Sequence, residues 1–325
     1  MLLAPNDEQR EFLAAVSDAL ISEAPFSRWF LPQTSALADE ARLLSFGAQM
    51  GWMGFAAPET VGGSEADLTD EVLLFMRLGA QMAPVGLCTG AIAVHGALAA
   101  GKSEIAAEIV SGKASVALAS TVGAGVILGA GSAHYALRII NNHVSLHLFE
   151  AAPISIGFDW TTSACDGPLG ETVFEIEDKR LVLRFELLVA AQLQGLAETA
   201  LAESNDFAKL REQFGKPIGS FQAVRHRLSD MELRVRRAEA QTYMAAVALR
   251  DGGADAELQV LSALWITRDA ARLNAEVNIQ NHGAIGTTTE NIGHLLLKRA
   301  LLWEFATGNE GMLLDRIASL EAPDI

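Results

Sequence analysis

The chain has 325 residues, half of them hydrophobic and only 20% charged, so it can bury a core large enough to offset the entropy lost on ordering its backbone. Lys and Arg number 24 against 40 Asp and Glu, a formal net charge of −16. A surface that acidic has no general attraction for nucleic acid phosphates or anionic lipid, which sets aside nucleic-acid binding and a role at the membrane surface.

The cysteines, Cys88 and Cys165, make no CxxC pair and no spaced framework. That is the usage of a cytoplasmic chain with reduced thiols, and both read as packing residues. Met1 to Ala15 already carries Asp7, Glu8, Arg10 and Glu11, so it has neither a basic leader nor an unbroken apolar run. Ala114 to Leu137 is uncharged and long enough to span a bilayer. It holds Gly123, Gly125, Gly129 and Gly131 with several Ser and Thr, and reads as buried strands and turns, so no membrane insertion is expected.

From Asn6 to about Gly112 the pattern is helical. Phe12, Leu13, Val16, Leu20 and Ile21 recur at three- and four-residue spacing behind a cap at Asn6 or Asp7, and Leu37 to Met50 and Leu68 to Leu78 repeat the theme. Pro58, Gly62 and Gly63 predict a short surface loop between them. Over residues 113–185 the period changes to two. Ala133 to Phe149 predicts a hairpin turning at Asn141-Asn142, because asparagine tolerates the left-handed backbone of a tight turn, and Glu171 to Phe185 alternates likewise. Residues 186–325 return to helical periodicity: Glu186 to Phe214, then about Phe221 to Leu249, Asp255 to Asn281 and Thr289 to Phe305, parted by Gly252-Gly253 and by His282 to Gly286 and closed by Thr307 to Asn309. Four long helices with short connections predict a bundle.

Three strings carry chemistry within this frame. GWMGFAAPETVGG (Gly51 to Gly63) is followed by Glu71 and by Leu78-Gly79. In REQFGKPIGSFQAVRHRLSDM (Arg211 to Met231) one helix stops at Gly215 and Pro217 and another starts near Ser220. An arginine beside a helix start offers forked donors and free backbone N–H groups suited to a pyrophosphate, although alone the string reads equally as an exposed helix end with a turn. QNHGAIGTTTE (Gln280 to Glu290) is a glycine turn that is either a plain connection or a close backbone approach to a ligand. The seven histidines, including His95, His143, His147 and His282, form no HExxH or helical ligand set, so no metal is expected. Gly123-x-Gly125 and Gly129-x-Gly131 do not complete a nucleotide fingerprint. Arg225, Arg227, Arg234, Arg236 and Arg237 read as a solvated or ion-paired helix face with some capacity for a CoA phosphate.

In that order and spacing the three strings resemble the acyl-CoA dehydrogenases over nearly the whole chain. The resemblance implies a mainly α fold with a small β domain: an N-terminal helical domain over residues 1–112, an abbreviated middle β domain over 113–185 and a C-terminal four-helix bundle over 186–325. It implies an FAD-dependent α,β-dehydrogenation of an acyl-CoA thioester, with electron-transfer flavoprotein as acceptor. Arg211, Gln213, Phe214, Gln222, Gln280 and Gly283 match the family's contacts to the adenosine and diphosphate of an FAD held mainly by a neighbouring subunit. Ala284 replaces the family's usual second glycine.

Two departures accompany these matches. The family's flavin-contacting segment of the β domain is answered only by Leu118-Ala-Ser-Thr-Val-Gly-Ala-Gly125. The dehydrogenation requires a carboxylate to remove the α-proton, and the family's usual Glu-Gly pair falls here on Thr307-Gly308. The family's alternative base position falls near Phe185 and Glu186, which leaves Glu186 as one candidate, with Glu304, one helical turn before Thr307, as another. The combination, together with LLVAAQLQGLAETAL, resembles the short, base-lacking subunit of the α2β2 acyl-CoA dehydrogenases of bacterial steroid side-chain degradation, and implies a partner chain or a second copy in a lipid or steroid catabolic pathway. A self-sufficient homomer using Glu186 or Glu304, or a scaffold without flavin, are the competing expectations.

Overall fold

In the computed structural model, which describes residues 5–26, 36–120, 125–150, 155–156 and 158–320, Asn6 opens the first helix with a reciprocal cap. Its side chain accepts from Gln9 N at 2.8 Å while the Gln9 side chain accepts from Asn6 N at 2.9 Å, satisfying two backbone donors at the start of α1 (Asp7–Glu23). α2 (Ala36–Gln49) and α3 (Leu68–Ala80) fall where periodicity puts them, followed by α4 (Val85–Ala99) and α5 (Ser103–Val110). α4 is apolar on all sides because it is enclosed, packing on α5, α6 and the first strand. The connection expected as a surface loop is found at the surface, with Glu59, Thr60 and Gly62 exposed, and it forms two short 3-10 turns anchored to the core by Trp52, Met53, Ala57 and Val61. Gly63 permits this, since a Cβ there would stand 2.0 Å from the Ala57 carbonyl oxygen.

One seven-stranded sheet follows, built from β1 (Val116–Ala119), β2 (Val126–Leu128), β3 (Tyr135–Ile140), β4 (His143–Leu148), β5 (Ser155–Ile156), β6 (Ser163–Asp166) and β7 (Thr172–Glu177) in the order β5-β6-β2-β1-β3-β4-β7. Only β1 and β3 run parallel. The β3–β4 hairpin pairs Ile140 with His143 across the predicted turn, with Asn141 at φ 55°. The uncharged run Ala114 to Leu137 therefore supplies strands, although Thr121 to Ala124, and with them Gly123 and part of the Leu118 to Gly125 segment, lie outside the described residues. No helix among the described residues is long and apolar enough to cross a membrane.

The alternation read over Glu171 to Phe185 holds only as far as Glu177. Asp178 accepts from Leu181 N at 3.0 Å and starts α6 (Lys179–Leu210), so Leu181 to Phe185 are helical and buried against the core, and apolar residues on several sides of a helix mimic a buried strand. α6 ends at Leu210, four residues before the predicted end. Arg211 is its cap, and Glu212 to Pro217 form a small hairpin, β8 (Glu212–Gln213) with β9 (Lys216–Pro217). α7 (Gln222–Asp251), α8 (Ala256–His282) and α9 (Gly293–Ala306) complete the predicted bundle, and α10 (Glu310–Ala318), which periodicity did not reveal, closes the described chain.

α6 is the axis of the molecule, in contact with α3, α4, α7, α8 and α9. It meets α3 backbone to backbone: a Cβ on Gly195 would lie 2.1 Å from Met76 O, and one on Gly79 would lie 2.2 Å from Gln192 O. Further support comes from Arg299, 1% exposed, which ties α9 to the segment before β6. It donates to Asp159 Oδ2 at 2.7 Å, to the Thr161 and Thr162 hydroxyls and to Ala83 O at 2.7 Å.

Candidate functional site

Antiparallel packing brings the end of α6, the start of α7 and the end of α8 to one end of the bundle. Phe207 stacks on His282 with ring centroids 4.1 Å apart, Asn281 Nδ2 donates to Ser204 Oγ at 2.7 Å, and Arg227 reaches Asn281 Oδ1 at 3.5 Å. Six residues singled out in the sequence stand here. Arg211 caps α6, Gln213 and Phe214 belong to the hairpin, Gln222 starts α7, and Gln280 and Gly283 close α8. All six are exposed.

The hairpin turn has φ 55° at Phe214 and 76° at Gly215, the two left-handed residues of a tight two-residue connection. Phe214 is thereby held 92% exposed, touching Phe221 edge-on at 6.1 Å. Lys216 Nζ lies 4.5 Å from the Phe221 ring. Phe221 gives α7 no side-chain cap, and with Val224 N–H donating to Phe221 O at 3.1 Å, the N–H groups of Gln222 and Ala223 are left open, among the described residues, at the start of a 30-residue helix. No carboxylate lies within ion-pair distance of Arg211 or Lys216 among the described residues. Gly283 has φ 64° with open space where a Cβ would stand, whereas Gly286 is glycine for packing, its Cβ position lying 2.5 Å from Ile279 O. Open cations, free N–H donors and an uncovered aromatic ring fit the diphosphate and adenosine of a dinucleotide.

Glu186 lies elsewhere. It sits 25 positions before Arg211 on the same helix, about 37 Å away at a rise of about 1.5 Å per residue. There a cavity of about 400 Å³ opens between the sheet and the bundle. Leu118, Ile139 and the Asn141-Asn142 turn form one wall, Val182, Phe185 and Glu186 the second, and Thr307, Gly308, Met312 and Arg316 the third.

Both lining carboxylates are ion-paired. The two Glu186 oxygens accept from Nη1 and Nη2 of Arg316, the latter at 3.2 Å, and Glu257 pairs with Lys179 Nζ at 2.5 Å. Thr307 is anchored from behind by Arg268, whose Nη2 donates to its hydroxyl and, at 3.2 Å, to its carbonyl. Burial pushes the pKa of Arg268 down, opposed by the charges of Glu304 and Glu186. Glu304 is not among the residues lining the cavity. Arg316 and Arg268, which organise this site, went unseen in the sequence because they lie 130 and 82 positions from Glu186 with no motif around them.

Comparison with known proteins matches residues 6–117 to the acyl-CoA dehydrogenase N-terminal domain and residues 184–320 to the acyl-CoA dehydrogenase C-terminal domain. The acyl-CoA dehydrogenase FadE34 of Mycobacterium tuberculosis is 30% identical over 296 residues, 84% of this chain. The chain spans only 41% of that relative's length. Among solved structures, one titled as the ChsE4-ChsE5 complex from Mycobacterium tuberculosis matches with a TM-score of 0.76 at 22% identity, covering 99% of this chain and 100% of the other. One titled as the Tcur3481-Tcur3483 steroid ACAD G363A variant matches at 0.80 and 20%, covering 96% and 97%. At those identities the structural likeness shows the fold.

Proposed function

The chain belongs to the acyl-CoA dehydrogenase family, and from that premise we propose that it is the non-base subunit of a two-chain acyl-CoA dehydrogenase, gripping the diphosphate end of an FAD whose reactive ring lies in a partner chain. The observation that carries this reading is the separation of the two candidate sites. Arg211 and the cavity beside Glu186 are about 37 Å apart along one unbroken helix, farther than one flavin dinucleotide extends, so a single FAD cannot serve both within one chain. The separation supports placing the ring of a dinucleotide gripped at Arg211 against a neighbouring subunit.

Bound FAD would supply the hydride acceptor for oxidation of a CH–CH bond next to a thioester. Arg211 would hold a phosphate with its fork, the free N–H groups of α7 would add donors, Phe214 would cover the adenosine, and Gln222, Gln280 and the open Gly283 backbone would complete the grip. Gln213, whose Nε2 donates to Glu212 O at 2.7 Å, is a lesser contact.

The neighbour is read as a different chain because this chain's own cavity offers no free carboxylate. Glu186 is held at both oxygens, Glu257 at Lys179, and Thr307 stands at the family's usual base position. The two-name titles of the steroid ACAD and ChsE4-ChsE5 structures, and a relative more than twice as long as its matched segment, support a two-chain assembly and a steroid or other bulky acyl-CoA substrate. Electron-transfer flavoprotein is the acceptor proposed with it.

The test is to purify the chain alone and together with an adjacently encoded acyl-CoA dehydrogenase-like chain. Flavin and turnover are expected only in the pair. Stoichiometric FAD with turnover in the isolated chain refutes the reading.

A further inference from the structure

A second cavity, of about 230 Å³, lies on the opposite face of the first turns of α6, where they meet the start of α3, the middle of α4 and the end of α7. Val182, Phe185 and Glu186 face the cavity described above, while Arg180, Leu181 and Arg184 face this one. Nothing proposed for the flavin uses it.

His95 of α4 opens into this space, and neither ring nitrogen has a hydrogen-bond partner among the described residues. Burial and the charge of Arg184 lower its pKa to about 3, so at neutral pH it is an uncharged imidazole with one free N–H and one free acceptor nitrogen. The residue is half-buried and its ring nitrogens are not sealed from solvent, so they stand open to an occupant of the cavity.

Three arginines line the cavity with His95. Arg184 is neutralised by buried Glu71, to which Nε donates at 2.8 Å. Arg250 pairs with Asp251 at 2.7 Å and Asp67 at 3.5 Å. Arg180 has no carboxylate within ion-pair distance among the described residues and donates only to Arg250 O, at 3.1 Å. The single lining carboxylate, Asp178, is occupied in capping α6. Arg180 is thus the lining cation without an ion-pair partner among the described residues, in a wall that also carries the Asp178 carboxylate.

We propose that this cavity binds a small oxyanion, with Arg180 as its counter-ion, Arg184 and Arg250 as flanking donors and His95 as the hydrogen-bonding group at its floor. Carboxylate and phosphate share the chemistry the arginines recognise. They differ at His95: a hydrogen phosphate can donate its O–H to the acceptor nitrogen of the imidazole while its other oxygens accept from the arginines, whereas a carboxylate only accepts. The proposal is independent of the flavin reading and holds whether or not the chain carries FAD.

The test is calorimetric titration of the full chain with inorganic phosphate and, separately, with acetate, both against chloride at constant ionic strength. Saturable binding of either anion, weakened roughly tenfold or more by Arg180→Met and by His95→Gln, is expected, as befits loss of one charge-assisted hydrogen bond. Arg180 is exposed, so its replacement leaves the core intact. Preference for phosphate identifies the source as phosphate, and preference for acetate identifies it as carboxylate; either supports the site. In parallel, the His95 ring resonances are followed by NMR through a pH titration. Besides Arg184, which is paired to Glu71, the charged groups lining the cavity with this imidazole are Asp178, Arg180 and Arg250. Anion binding is expected to raise the pKa of His95 from about 3, so that affinity strengthens as pH falls. No saturable binding of either anion, or binding unchanged in Arg180→Met, overturns the proposal.

Discussion

Replacing Arg299 by methionine tests how α9 is held against the segment that leads into β6 of the sheet. Arg299 and Asp159 are 1% and 0% exposed, and the guanidinium supplies donors to Asp159, Ala83, Thr161 and Thr162. Removing one partner of a buried pair strands the other, at a cost of about 3–5 kcal/mol. Asp159 retains the Thr161 N–H at 3.0 Å and the Thr161 hydroxyl at 2.6 Å, which places the loss toward the lower end, while Ala83 O loses its donor and adds back about 1 kcal/mol. A net loss of about 4 kcal/mol over 325 residues, at an unfolding entropy of about 2.1 cal/mol/K per residue, lowers the midpoint by roughly 6 °C. Calorimetry on Arg299→Met, Asp159→Asn and the double variant measures it. The double variant is expected to be more stable than the sum of the single losses, because the uncompensated charge is gone. A single-variant loss below about 1 kcal/mol, or strict additivity, refutes the reasoning.

Other expectations follow from the same contacts. Gly195→Ala improves helix propensity by about 1 kcal/mol, yet it forces a Cβ to 2.1 Å from Met76 O; net destabilisation in urea is expected, and a stabilised variant would show that α3 and α6 are not in backbone contact. Glu40 is buried, with Oε2 accepting from Ser163 N at 3.3 Å and Oε1 unpartnered, and burial pushes its pKa up against the opposing pull of Ser163 and Arg299. A folded-state pKa above the unfolded one means stability is lost as pH rises through it, so Glu40→Gln is expected to match the wild type below about pH 4 and exceed it at neutral pH by urea midpoint. In the two-chain assembly, Glu186→Gln is expected to change kcat less than about threefold, against the hundredfold or greater loss of a true general base. Arg211→Met is expected to weaken FAD retention by the same assembly roughly tenfold or more, read by flavin fluorescence after dilution, and unaltered retention removes Arg211 from the grip.

Most helices and the central hairpin were legible because their signals are local. Asn6 with Gln9 caps α1, Asn141 takes the turn, and Gly252 at φ 68° ends α7. The junction at Glu177 was misread because Leu181 to Phe185 pack on several sides at once, which erases the difference between a period of two and one of 3.6. The Pro58 to Gly63 segment was legible as a surface connection because proline and glycine mark it locally, whereas its anchoring through Val61 and the close approach of Gly63 to Ala57 O depend on residues its own string does not show.

The same distinction between local and distant signals separates the two candidate sites. The residues of the grip proposed at Arg211 are contiguous in sequence apart from the turn at Gln280, so one string was enough to suggest it. The chemistry of the cavity depends on what Glu186 touches, and that is decided by Arg316 on a helix periodicity did not reveal. Read alone, Glu186 is a carboxylate at the start of a bundle helix and a reasonable base. With both oxygens committed to one guanidinium it becomes part of the wall, and the helix that carries it sets that wall about 37 Å from Arg211, the separation on which the two-chain proposal rests.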